Sequence, residues 1–214
     1  MSPAPTEDLA SEIAYVKTLA EEGRNAPLVG GVFYLIWGVT LAGACFLTWL
    51  RAVDVAGVPD FIGGIGFWIA VFAIGWGLCF FVGRKVGAKP GAMTIGNQTA
   101  RSAWLGVGIF MLVYWCALLA FHGDFEAQGI KPYALFNTVF PIAFGVYGIA
   151  FFATATAARL DWLRGFAVAA WVFSVASLYF LGDARQIIVA GVGSLVCAAL
   201  PGFILMRREP SDIV

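Results

Sequence analysis

Residues 61–83 read FIGGIGFWIAVFAIGWGLCFFVG, twenty-three residues without one charged, amide or histidine side chain. As a helix rising 1.5 Å per residue this run is roughly 35 Å long, enough to cross the ~30 Å hydrocarbon core of a bilayer. A helix apolar on every side has no face to offer water, so its surroundings must be lipid or other apolar helices. Five more runs have the required length: 27–50, 102–121, 133–157, 162–181 and 186–206. None holds an ionisable residue at depth; Asp161 and Arg164 flank the start of the fifth, where their side chains reach the interface.

The whole chain agrees with that stretch. Of its 214 residues 61% are hydrophobic and 12% charged, a balance that a soluble domain of this size could not bury. The expected fold is an all-α membrane protein, a bundle of six transmembrane helices preceded by a short amphipathic helix. Residues 1–26 are the N-terminal helix and linker, 27–206 the membrane domain and 207–214 a tail. A net charge of zero gives no footprint for nucleic acid. Nine arginines against four lysines, with abundant Ala and Gly, suggest a bacterial source with a GC-rich genome.

Short-loop charges set the orientation. The N-terminal tail, the 84–101 loop, the 158–164 connection and the C-terminal tail together carry Lys17, Arg24, Arg84, Lys85, Lys89, Arg101, Arg159, Arg164, Arg207 and Arg208. The other side carries only Arg51, Lys131 and Arg185. Ten against three puts both termini in the cytosol, with the bundle in the cell inner membrane, and demands an even number of spans. The first residues are acidic and the first apolar run is long, so the first span is expected to insert directly and stay. Trp49, Tyr133 and Tyr179 near the outer ends and Trp104 and Trp162 near the inner ends fit an interfacial aromatic belt.

The N-terminal segment has its own pattern. Thr6 can cap a helix whose first turn holds Glu7 and Asp8, and Leu9, Ile13, Val16 and Ala20 then recur on one face. Gly23 is a stop, and Pro27 suits the first turn of the next helix. Residues 1–24 hold five acids and two bases, the wrong sign for binding anionic lipid. The segment is expected to pack on the basic 84–101 loop or to dock a separate protein partner. That loop has turn residues Gly87, Pro90, Gly91 and Gly96 but matches neither phosphate-binding fingerprint, and the orientation rule already accounts for its charge.

Within the spans, Ala190, Ser194, Ala198 and Gly202 form a small-residue stripe along the sixth, with shorter ones at Ala73 and Gly77 and at Gly165 and Ala169. Pro141 removes the bond to the Asn137 carbonyl and is expected to kink the fourth span; Pro201 does the same to the Cys197 carbonyl in the sixth. Freed carbonyls in a dry environment need partners, so Asn137, Pro141 and Pro201 mark a kink or the polar lining of a small cavity. Trp37, Trp68, Trp76, Trp115 and Trp171 lie deep, as packing residues or as ligand lining. Phe144–Gly148 loosely matches Ile36–Val39, without enough alignment to establish an inverted repeat.

The absences narrow the function. Proton relays, divalent-cation carriers, intramembrane hydrolases and di-haem cytochromes place ionisable groups or several histidines in the bilayer. Here His122 is the only histidine and sits at the outer end of the third run, beside Asp124 and Glu126 in what reads as a solvated loop. Cys45, Cys79, Cys116 and Cys197 lie singly in apolar runs, so no metal or redox pair is expected, though a Cys45–Cys116 disulfide stays open. No cofactor is implied. The leading expectation is a non-catalytic scaffold or regulatory membrane component whose partners are the lipid bilayer and a cytosolic or membrane protein. The alternative is a facilitator or carrier for a small neutral or apolar solute.

Overall fold

The computed structural model describes residues 12–16, 27–89 and 91–209. Among them there is no strand, and six helices are long and apolar enough to cross a membrane. These are α1 (Gly31–Ala52), α2 (Ile65–Gly87), α3 (Ile95–Ala127), α4 (Ala134–Ala158), α5 (Trp162–Tyr179) and α6 (Ala184–Met206). Of the expected N-terminal helix, residues 12–16 are helical and exposed; Thr6, Leu9, Ala20 and Gly23 lie outside the described residues. The tail is described only as far as Glu209.

α6 is the central helix, with half of its most apolar window buried against 6% for α3. It runs antiparallel to α1, and small residues let the two backbones touch. A Cβ on Gly31 would stand 2.6 Å from the Gly202 carbonyl oxygen, and one on Gly202 equally close to the Gly31 carbonyl. One helical turn pair further along, a Cβ on Gly38 would collide with the backbone nitrogen of Ala199, and one on Gly191 would press on Cys45. The predicted stripe, Ala190, Ser194, Ala198 and Gly202, is buried throughout, and Gly202 is its member at the tightest approach.

Around this pair the contacts are made by rings seated on glycines. Trp37 of α1 lies where a Gly75 Cβ in α2 would come within 2.7 Å, and Trp76 of α2 sits over Gly108 of α3. Trp171 of α5 occupies the notch at Gly148 of α4, and Phe144 and Phe173 close on Gly193 of α6. Tyr34, Trp104 and Phe151 complete the centre, with Tyr34 edge-on to Trp104 at 4.7 Å and Trp104 edge-on to Phe151 at 4.8 Å. α2 and α3 flank the core of α1, α4, α5 and α6. They bury little and turn Ile69, Ile74, Phe81, Ile109 and Val113 outward.

Several boundaries differ from the sequence reading. α1 starts at Gly31 rather than through Pro27, because Gly30 adopts φ +105°, a left-handed conformation that interrupts the helix and favours glycine. α3 extends seven residues before and six beyond the predicted 102–121, ending near Gly129 with φ +80°. His122, Asp124 and Glu126 are therefore on a helix and not in a loop. At roughly 50 Å, α3 is longer than a bilayer core is thick. α4 is broken at Thr138, one residue past Asn137. In α6 the residues before Pro201 form a five-residue π-helical turn, Leu195–Ala199, in which the Leu200 N–H bonds to the Leu195 carbonyl. A wide turn ahead of a proline absorbs the lost bond and carries the Ala199 backbone against Gly38.

Gly38→Ala should lower the melting temperature in mild detergent sharply or abolish the folded state, because backbone cannot yield as a side chain does; overpacking alone costs about 1–3 kcal/mol. Gly77→Ala, where a Cβ would meet nothing within 4 Å, should leave the melt unchanged or slightly raised.

Candidate functional site

The densest polar construction lies at the end where α1 begins and α6 finishes. The first N–H groups of a helix lack intrahelical acceptors, and no side chain of α1 supplies one. Glu209, just past α6, does so across 178 residues. Its Oε1 accepts from Gly30 N–H at 2.8 Å and Gly31 N–H at 2.6 Å, and its Oε2 takes the Lys89 ammonium. The Glu209 side chain is 3% exposed and Lys89 28%, so this carboxylate is charge-paired and nearly out of water. A negative charge at a helix N-terminus is favourable in addition.

Asn97, 8% exposed, completes the clasp from the first turn of α3. Its Oδ1 accepts from Val29 N–H at 2.7 Å, while Nδ2 donates to the carbonyls of Pro27 (3.0 Å) and Gly91 (2.9 Å) and to Thr94 Oγ1 (3.1 Å). One amide thus holds the non-helical 27–30 segment and the turn just before α3, in which Gly91 has φ +80°. The loop that reads as merely basic is a structural tie. Lys89, Asn97 and Glu209 carry no signal of this in the sequence, since each finds its partner far along the chain.

The Pro141 site is also closed. The Asn137 carbonyl, released by Pro141, accepts from Gln186 Nε2 at 2.9 Å, and the Gln186 Oε1 accepts from Gly182 N–H. Gln186 is fully buried at the start of α6 and was not singled out by its position in an apolar run. The Pro141 carbonyl receives Ser174 Oγ–H at 2.6 Å, the Gly145 carbonyl receives the Trp171 indole N–H at 3.2 Å, and Thr138 Oγ1 bonds to Tyr114. Ser194 Oγ–H is turned to the Ala190 carbonyl. Asn137, Pro141, Ser174 and Gln186 are thereby brought together, whereas Pro201 stands apart near the basic end beside Gly202. The deep tryptophans divide between the two packing layers: Trp37, Trp68, Trp76 and Trp115 join α1–α4, and Trp171 joins α5 to α4.

Two surface concavities are open and apolar. One runs along α5 past Val168, Val172 and Tyr179, and the other lies between α3 and α4 at Gly106, Phe110 and Ile149. Among the described residues no three His, Cys, Asp or Glu side chains gather as a metal site, and all four thiols are free. His122 Nδ1 is within 2.7 Å of its own helix's Leu119 carbonyl. Asp183 caps α6 by accepting from Arg185 N–H at 2.8 Å, and the bonds it receives from Arg185 hold its carboxyl down to about 2. That cap is complete above the usual carboxylate range and is lost only as pH falls through about 2.

No family model, curated protein or solved structure matches this chain.

Removing the clasp has a measurable cost. Glu209→Ala should destabilise the bundle by about 2–3 kcal/mol, from the lost cap and the stranded Lys89 charge, and Asn97→Ala by about 2 kcal/mol. Thermal unfolding in detergent reads both. Equal melting of Glu209→Ala and wild type would mean that the clasp contributes nothing to the folded state.

Proposed function

We propose that this chain is a multi-pass protein of the cell inner membrane that works as a non-catalytic scaffold or regulatory component, presenting its N-terminal segment to a protein partner in the cytosol. The single observation that carries this reading is the exposure of the 12–16 helix. Ile13 and Val16, two of the four residues of the predicted docking face, are each 62% exposed outside the spans, and Tyr15 between them is 66% exposed. Large apolar side chains in water, on a helix set ahead of α1, are what an interaction surface presents.

The rest of the molecule supports the same reading. The basic end that could receive this helix is already engaged with itself through Glu209, Lys89 and Asn97. The polar groups near Asn137 and Pro141, the lining a solute carrier would use, are committed to Gln186 and Ser174. The apolar perimeter of α2, α3 and α5 suits lipid, and the clasp end holds Arg84, Lys85, Lys89, Arg101, Arg159, Arg164, Arg207 and Arg208, the charge expected on the cytosolic side. The net charge of −3 over residues 1–24 favours a partner with a basic face.

A photoreactive amino acid at position 13 or 16 of the full chain, activated in native membranes, tests this. The expected result is one discrete protein adduct, absent when the probe stands at position 127 and competed away by free peptide 1–24. Adducts with lipid alone, or only with the chain itself, would overturn the partner reading in favour of a helix lying on the membrane or folded back on the bundle.

A further inference from the structure

Guanidinium groups at the two ends of the bundle are seated alike but neutralised differently. At both ends an arginine lies over an aromatic face, an arrangement in which ring and cation attract and which holds the charge at a set height. Arg84 lies 5.1 Å from the Phe80 ring centre, Arg207 4.4 Å from Phe203, Arg208 5.2 Å from Trp162 and Arg164 5.8 Å from Phe152. At the opposite end Arg185 lies 4.8 Å from Phe180. Arg84 follows its ring by four residues within α2 and Arg207, the residue capping α6, does so at that helix's end, so helical periodicity alone stacks them. Phe80 and Phe203 are 63% and 44% exposed on the outer surface, which puts these two cations on the perimeter.

The difference lies in the acids. At the opposite end Arg51 meets Asp54 and Asp60, and Arg185 meets Asp183. At the clasp end Arg164 meets Asp161, but no carboxylate of the described residues pairs with Arg84, Arg207 or Arg208. Glu209 is taken by Lys89 and the α1 N-terminus. Beneath Arg208 the Trp162 indole N–H is buried with no acceptor among the described residues. Three exposed guanidiniums are therefore held over rings at the clasp end, two of them on the outer surface, without counter-charge from the described protein.

Resting on the membrane reading above, we propose that Arg84, Arg207 and Arg208 form a collar that binds the headgroup phosphates of anionic phospholipids in the leaflet around the clasp end. A phosphodiester lies at that depth and accepts the paired N–H groups of a guanidinium. Lysines would supply the charge required for orientation; ring-seated arginines add a fixed, fork-shaped donor set. The collar is distinct from the N-terminal helix, which carries the opposite charge.

The full chain reconstituted in nanodiscs of phosphatidylcholine, with or without a quarter of phosphatidylglycerol, provides the test. Phosphatidylglycerol should raise the melting temperature by about 3 °C or more. The rise should disappear in Arg84→Gln/Arg207→Gln/Arg208→Gln, persist in Arg51→Gln, and shrink for wild type in about 0.5 M salt. Equal melting of wild type in the two discs overturns the collar, as does a full rise in the triple variant. A rise produced in phosphatidylcholine discs by soluble glycerol phosphate overturns the lipid assignment. If the triple variant fails to fold, the wild-type comparison and its salt dependence still decide. A chain that does not enter discs, or that alkaline carbonate strips from native membranes, overturns the membrane reading itself, an outcome separable from incorporation without lipid discrimination.

Discussion

Two helices meeting backbone to backbone set the geometry of everything else. Where Gly31 faces Gly202 and Gly38 faces Ala199, α1 and α6 approach closer than any pair of side chains would permit. Between helices as apolar as these, dispersion contacts and internal hydrogen bonds both reward close approach. The α1–α6 pair supplies the first. Glu209 and Gln186, one at each end of α6, supply the second by tying it to the start of α1 and to the break in α4.

From that pair outward the packing follows one rule, a large ring in a notch left by a missing Cβ. Trp37 on Gly75, Trp76 on Gly108 and Trp171 on Gly148 pass the contact from one helix to the next. The rule gives a physical reason for Gly75, Gly108, Gly148 and Gly193, each of which lies under a ring. Each ring buries a large area and each glycine lets it lie flat against the neighbouring helix. It also explains how α2 belongs to the bundle while burying so little of itself, since its attachment runs through a few broad side chains.

Six apolar helices could be read from the sequence because length and hydropathy are local properties, and the stripe ending at Gly202 because small residues repeat with the helical period. The Pro141 reading gave the carbonyl that would be released but not its acceptor's partner, because Gln186 sits at the margin of an apolar run forty-nine positions later. The clasp was illegible for the same reason. Asn97 resembles an ordinary loop amide, Lys89 one more positive residue on the inner side, and Glu209 an acid in a tail. Their meaning depends on which ends of the chain the fold brings together. Likewise α3 outruns its apolar stretch: its polar ends fail an apolar criterion, and Gly96, which reads as a turn residue, and Gly123 stand inside the helix without ending it.

The tie between Gly30 and Glu209 also bears on how the molecule is made. Helices leave the ribosome in order, and α1 is made before the groups that cap its leading N–H groups and fill its glycine notches. The groups that complete it come from α6 and from Glu209, which is 178 residues after Gly31. Closure thus waits on α6: the four intervening helices are made before α1 acquires the neighbour against which its backbone closes.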